Sequence, residues 1–204
     1  MTNKINQDLI SSLINNNDKV LDIGCGNGEL LSFLEKTKNI QGQGIEISHL
    51  GVKESVTKGL SVIQGDADED LVSFTNNTFD VVILSDTLQA THKPKEVLKE
   101  MLRIGKKCII CIPNFGYWKY RLQILFYGIM PVTETLSEPW YSTPNIHLCT
   151  IKDFINLCNS LNISIDQAYR NTHNNIKKIE KPDSYFNNLL STEGIFILTK
   201  KIII

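Results

Sequence analysis

Val20-Leu-Asp-Ile-Gly-Cys-Gly-Asn-Gly28 decides the fold. Apolar residues frame Asp22, glycines stand at 24, 26 and 28, and an amphipathic stretch begins at once. A strand that ends in a tight glycine turn and restarts as a helix opens a βαβ unit. Upstream lies a helix over Lys4–Asn16, with Ile5, Leu9, Leu13 and Ile14 near one face, and the strand itself covers Lys19–Ile23. Downstream the pattern predicts helix Asn27–Lys36, strand Gln43–Ile47, helix Ser48–Lys58, strand Leu60–Gln64, strand Phe79–Leu84, helix Pro94–Arg103 and strand Cys108–Ile112. Strands written as near-continuous apolar runs are buried on both faces, and their alternation with helices implies parallel pairing. The rhythm breaks after Pro113: 114–149 is irregular and aromatic, Thr150–Leu161 is a helix with Thr150 as N-cap, and Asn171–Asn188 is a polar loop. Ile163–Tyr169 and Gly194–Thr199 close the sheet as an antiparallel edge hairpin. The expectation is an α/β fold, a doubly wound, mostly parallel seven-stranded sheet, with 1–204 as a single domain.

Composition excludes several function classes. Lys+Arg is 21 against Asp+Glu 22, giving a net charge of -1, and only 3 of the 21 are Arg. A nucleic-acid partner wants a basic excess and Arg forks, so none is expected. No apolar run approaches the ~20 residues that span a bilayer, and Met1–Gln7 has no signal-peptide core, so no membrane partner is expected either. Five Cys without regular spacing read as reduced thiols, which suits a cytoplasmic protein. Cys108 and Cys111 form a C-x-x-C, but on a strand these positions face opposite sides, and no metal site is expected.

Carboxylates at successive strand ends point to a ligand. A dinucleotide wants G-x-G-x-x-G with its pyrophosphate on the helix N-terminus. Here the spacing is G-x-G-x-G, and Asp22, two residues before the first glycine, would repel a pyrophosphate. A carboxylate there suits the positive amino group of S-adenosylmethionine (SAM), with Gly24, Cys25, Gly26 and Gly28 as the loop beside it; an Asp at this position also ties down such a loop. Glu46 closes the second strand, 22 residues after Gly24, where a carboxylate can take both ribose hydroxyls. Asp66, after the third strand, can accept from an adenine amino group while Ile47 and Ala67 pack on the ring faces. Ser85 completes the ring of strand ends. SAM or its demethylated product S-adenosylhomocysteine (SAH) is the expected cofactor, ahead of a nicotinamide.

This set resembles the class I SAM-dependent methyltransferases over roughly Lys19–Ile112. The exocyclic-amine base methyltransferases carry a Pro-Pro-aromatic turn after the fourth strand, whereas this chain has Ser85-Asp-Thr-Leu-Gln89. The later segment holds eight of the sixteen aromatics between Phe115 and Tyr141. It reads as a lid, an acceptor pocket, a protein interface or plain core under a long connection. Pro113-Asn-Phe-Gly-Tyr-Trp-Lys-Tyr-Arg-Leu-Gln123, Met130-Pro-Val-Thr133 and Trp140-Tyr-Ser-Thr-Pro-Asn-Ile-His-Leu-Cys-Thr150 resemble the methionine biosynthesis protein MetW family, as do Ser85–Ala90 and Glu100–Gly105. The resemblance implies a methyltransferase fold and a role beside homoserine O-acyltransferase as partner, without a defined methyl acceptor. It implies an amide where this chain has Asp86. Among candidate general bases, His147 lies in the motif-dense stretch and leads, followed by Tyr117 and Tyr141; His49 and His173 read as inert, and His92 as a cap-region residue near the reactive end. Either a small-molecule methyltransferase or a non-catalytic SAM-sensing subunit of the acyltransferase satisfies this pattern.

Overall fold

The computed structural model describes residues 4–133, 136, 138–173 and 175–201. Its core is one eight-stranded sheet. β1 (Lys19–Ile23), β2 (Gln41–Glu46), β3 (Val62–Gln64), β4 (Phe79–Ser85) and β5 (Gly105–Pro113) pair in parallel, as their apolar runs predict. β6 (Ile163–Thr172), β7 (Asn175–Ile179) and β8 (Glu193–Lys200) extend the sheet. The order is β3-β2-β1-β4-β5-β8-β6-β7, so the winding reverses between β1 and β4. In open α/β sheets that reversal leaves a crevice beyond the carboxyl ends of the strands.

The helices cover both faces of the sheet. α4 (Pro94–Ile104) and α6 (Ile151–Ser160) pack one face through Val97, Leu98, Met101, Phe154 and Cys158. On the other face, α1 (Lys4–Ser12) and α2 (Glu29–Lys38) bring Ile10, Leu30, Leu31 and Leu34. Cys108 belongs to the first cluster and Cys111 to the second, as the strand period requires. Burial pushes the Cys108 thiol up to about 12 and the Cys111 thiol well above its ordinary value.

Three features depart from the expected pattern. The sheet has eight strands, because the polar stretch 171–188 contains β7; the short helix α7 (Tyr185–Leu190) begins within it and runs past its end. The edge is therefore the β6–β7 hairpin, while β8 runs antiparallel between β5 and β6. Within the stretch expected to be irregular, Trp118–Tyr127 forms α5, closed by Gly128 in the left-handed region. The helix α3 (His49–Thr57) and the capped start of α6 follow the expectation; Thr150 and Asp153 exchange both bonds of a capping box.

Gly28 shows how tightly the first turn is built. Its φ is +75°, and a Cβ there would run onto Leu60 Cδ1 and lie 2.8 Å from the buried Ser55 Oγ. Left-handed backbone and overpacking each carry a cost, so Gly28→Ala is expected to lose about 2–4 kcal/mol of stability, read from urea unfolding. A variant as stable as the parent would show that the turn can relax.

Candidate functional site

Two cavities meet at the carboxyl ends of β1, β2, β3 and β4. One, of about 280 Å³, is bounded by Glu46, Ile47, Asp66, Ala67, Thr91 and Pro144 among others. The second, of about 270 Å³, is bounded by Asp22, Cys25, Gly26, Glu29 and Ser85. Gly24, Asp86 and Thr87 line both, so the two form one elongated site bent around the first glycine. Taken together they reach the size of a small-molecule site.

The glycine loop and β2 are tied together through one carboxylate. Glu46, nearly buried, accepts from Gly26 N through Oε2 at 2.8 Å and from Ser48 N through Oε1 at 2.8 Å. Each oxygen keeps capacity for a further donor. Gly26 has φ +56° and open space where a Cβ would stand, so its backbone is exposed to the site. Asp22 sits at the floor and is almost fully buried. Burial, and then the Glu46 carboxylate nearby, push its carboxyl from 3.8 up to about 7. Taking a carboxylate out of water disfavours its charged form, and a second carboxylate adds repulsion. A cationic ligand group would relieve both.

Asp66 accepts from Asp68 N through Oδ1 at 2.8 Å and shapes the turn after β3. Asp86 stands in the left-handed region at φ +52°, and its N–H donates to the Cys111 carbonyl at 3.1 Å. Protein crowded around its carboxyl, and then the Glu193 carboxylate, hold Asp86 above the usual carboxylate range, although solvent reaching it weakens the effect. Glu193 itself is buried and accepts from Asn6 Nδ2 at 2.8 and 2.9 Å and from Asn171 Nδ2 at 3.1 Å. Burial raises its carboxyl, and these amides oppose the rise.

The structure brings together nine of the ten residues proposed to hold the cofactor: Asp22, Gly24, Cys25, Gly26, Glu46, Ile47, Asp66, Ala67 and Ser85. Gly28 lies outside both linings and packs against α3 and Leu60 instead. The proposed bases are not brought there. Tyr117 is buried in a separate cluster with Tyr120 and Leu136, its hydroxyl 3.1 Å from His173 Nε2. The side chain of His147 is exposed and lines neither cavity; its backbone N–H donates to Gln89 O at 2.9 Å. Tyr141 is exposed as well, and none of the eight aromatics of 115–141 lines either cavity. His92 lines the larger cavity, in keeping with its expected place near the reactive end, whereas His173, read as inert, packs on Tyr117.

Several lining residues had no signal of their own. Asp68 accepts from His92 N and Lys93 N, both at 2.7 Å, and locks the β3 turn onto the start of α4. Thr87 lies two residues beyond Ser85, and Pro144 enters through tertiary placement alone. The sequence marked Asp86 only as a departure from a pattern.

The model of the methionine biosynthesis protein MetW family matches residues 4–198. The chain belongs to the MetW family. A curated relative, the bifunctional methionine biosynthesis protein MetXA/MetW of Rhodopirellula baltica, is 34% identical over 176 residues, 82% of this chain and 28% of that protein. The chain thus spans under a third of that relative's length. Among solved structures, a SAM-dependent methyltransferase from Thermotoga maritima superposes with TM-score 0.68 at 16% identity, covering 96% of this chain and 87% of the other. A SAM-dependent methyltransferase from Archaeoglobus fulgidus gives 0.64 at 19% identity over 95% and 94%. The MetW-family chain therefore has the fold of the class I SAM methyltransferases. Among the described residues no helix is long and apolar enough to cross a membrane.

Proposed function

We propose that this MetW-family protein binds SAM or SAH in the bent site and acts in methionine biosynthesis beside a homoserine O-acyltransferase. One observation carries the cofactor reading: Asp22, Glu46 and Asp66 line a single site in the order that the amino group, ribose and adenine of SAM require. Asp22 would hold the ammonium, Glu46 the ribose hydroxyls, and Asp66 the adenine amino group between Ile47 and Ala67. When bound, SAM supplies an electrophilic methyl group. The chain's own contribution is then to position an acceptor, which by itself lowers a barrier substantially.

The partner reading is supported by the fused relative, whose name joins a MetXA part to a MetW part. It is also supported by α5. Leu125, Phe126 and Tyr127 lie 72%, 71% and 76% exposed on that helix, beside Leu122 and Ile129. An apolar patch of this kind marks an interaction surface, and aromatics are typical energetic centres of interfaces. A second reading, a non-catalytic SAM-sensing subunit, is favoured by the same outward-facing aromatics and by a site lining that includes neither Tyr117 nor His147.

Calorimetry with SAM, SAH and NAD tests the cofactor; heat with NAD and none with the other two would reverse the reading. Co-purification with the acyltransferase, assaying acyl transfer and SAM turnover together, separates the two roles. Phe126→Asp is expected to weaken the partner complex by about 30-fold, the equivalent of about 2 kcal/mol, while leaving SAM affinity unchanged. Undiminished association would remove α5 from the interface.

A further inference from the structure

The short strap Thr143–His147 stands between two cavities. Pro144 lines the larger half of the cofactor site, whereas Thr143, Asn145 and Ile146 line a separate cavity of about 310 Å³ inside the aromatic segment. The remaining wall is apolar and includes Phe115, Met130, Pro131, Leu136, Trp140 and Leu148. Among the described residues Glu138 is the one charged residue in that lining, which includes no Lys or Arg. An apolar pocket with a few polar groups is the composition of a small-molecule site. Trp140, Ile146 and Leu148 keep much of their surface in water, a cost that an occupant would remove.

The strap is fastened to the cofactor side by a single carbonyl. Ile146 N and His147 N both donate to Gln89 O, at 2.8 and 2.9 Å. Gln89 Nε2 donates to Asp86 O at 2.7 Å, and Asp86, Thr87 and Ala90 line the cofactor site. Gln89 is nearly buried, yet its Oε1 has no hydrogen-bond partner. A buried acceptor left open is costly, so a rearrangement of this turn that gives Gln89 Oε1 a donor is favoured. An occupant of the apolar cavity meets the strap at Thr143, Asn145 and Ile146, and an occupant of the cofactor site meets it at Pro144.

We propose that the apolar cavity binds a small apolar molecule bearing an amine, and that its occupancy is coupled to that of the cofactor site through Thr143–His147. The amine follows from Glu138 and from the missing basic residues. A small molecule, rather than a protein segment, follows from a volume at the low end for ligand sites. The coupling rests on the reading that the bent site holds SAM or SAH, and it is reciprocal by thermodynamic necessity.

The test uses the two tryptophans, Trp118 and Trp140. Trp118→Phe leaves Trp140, in the cavity wall, as the only reporter. Titration with n-hexylamine is expected to give a saturable shift in Trp140 emission, with hexanoate at least tenfold weaker. Ile146→Arg, at a half-exposed position that the fold tolerates, should cut hexylamine binding about tenfold without moving the melting temperature. SAH affinity, from calorimetry, should change about fivefold or more with saturating hexylamine in the parent and not in Ile146→Arg. Equal response to hexylamine and hexanoate, or undiminished binding in Ile146→Arg, would overturn the site. A Trp140 signal that appears only with the acyltransferase would overturn it in favour of a protein occupant. SAH binding indifferent to hexylamine would overturn the coupling, whereas absence of any SAH heat beside normal hexylamine binding would count against the cofactor reading itself.

Discussion

Glu46→Ala should lose roughly two orders of magnitude in affinity for SAM and SAH. A hydrogen bond to a charged group is worth about 1.5–3 kcal/mol, and two ribose hydroxyls on one carboxylate therefore give about 3 kcal/mol after losses, or about 100-fold. The same carboxylate holds Gly26 N and Ser48 N at 2.8 Å each, so the variant also leaves two backbone donors without their acceptor. Its melting temperature should fall by a few degrees, and the affinity must be measured well below that transition. Glu46→Gln is not a neutral control, since its amide would turn a donor towards one of the two N–H groups. Isothermal titration of SAH decides the matter. An unchanged dissociation constant in a folded Glu46→Ala protein would reduce Glu46 to a brace of the glycine loop.

The second expected result is an inversion at Asp22: the Asn variant should be more stable than the parent and yet bind cofactor worse. The folded-state carboxyl titrates at about 7 against 3.8 for the free group. Between those values the folded chain holds a proton that the unfolded chain has released, so stability falls as pH rises from about 4 to about 7 and stays low above. Each pH unit across that window costs about 1.4 kcal/mol, which places the penalty at a few kcal/mol at pH 8. Asp22→Asn removes it, and its melting temperature at pH 8 should rise by roughly 5 °C or more, with little gain at pH 4. The ligand ammonium needs the ionised carboxylate, so parent affinity should rise about tenfold per pH unit up to about 7. It should turn over near 8, where an α-amino group loses its own proton. A pH-independent affinity would show that Asp22 meets no ammonium, and an Asn variant that melts with the parent at pH 8 would show that Asp22 bears no penalty.

The sheet from Lys19 to Ile112 was legible because β1, β4 and β5 are largely buried and nearly continuously apolar, while β2 and β3, more polar and less buried, were marked by their alternation with helices and by the acids at or just beyond their ends. Asp22, Glu46 and Asp66 could be placed in one site because doubly wound topology puts all those ends on one edge. α5 was missed for a physical reason: in Trp118-Lys-Tyr-Arg-Leu-Gln-Ile-Leu-Phe-Tyr127 the polar Lys119, Arg121 and Gln123 alternate with apolar residues and only Tyr120 is buried, so no one-sided helical stripe marks it. β7 was missed because an edge strand with one partner can be as polar as Asn175-Ile-Lys-Lys-Ile179. Tyr117 and His147 looked reactive from their motif, but motif density does not say which way a side chain points. Asp68 and Thr87 lie two residues beyond the strand-end residues Asp66 and Ser85 and went unremarked, whereas Pro144 reaches the site from a distant part of the chain, which no local pattern announces.

The placement of β8 sets a timetable for synthesis. β8 pairs with β5 on one side and β6 on the other, yet it begins 80 residues after β5 ends, from Pro113 to Glu193. On a ribosome adding about 5–20 residues per second, that interval lasts several seconds or longer. Throughout it the growing chain carries Cys108–Ile112, buried on both faces in the finished protein, as an open apolar border. Such a border is a template for pairing with another chain, so the nascent protein is exposed to aggregation until its last strand emerges.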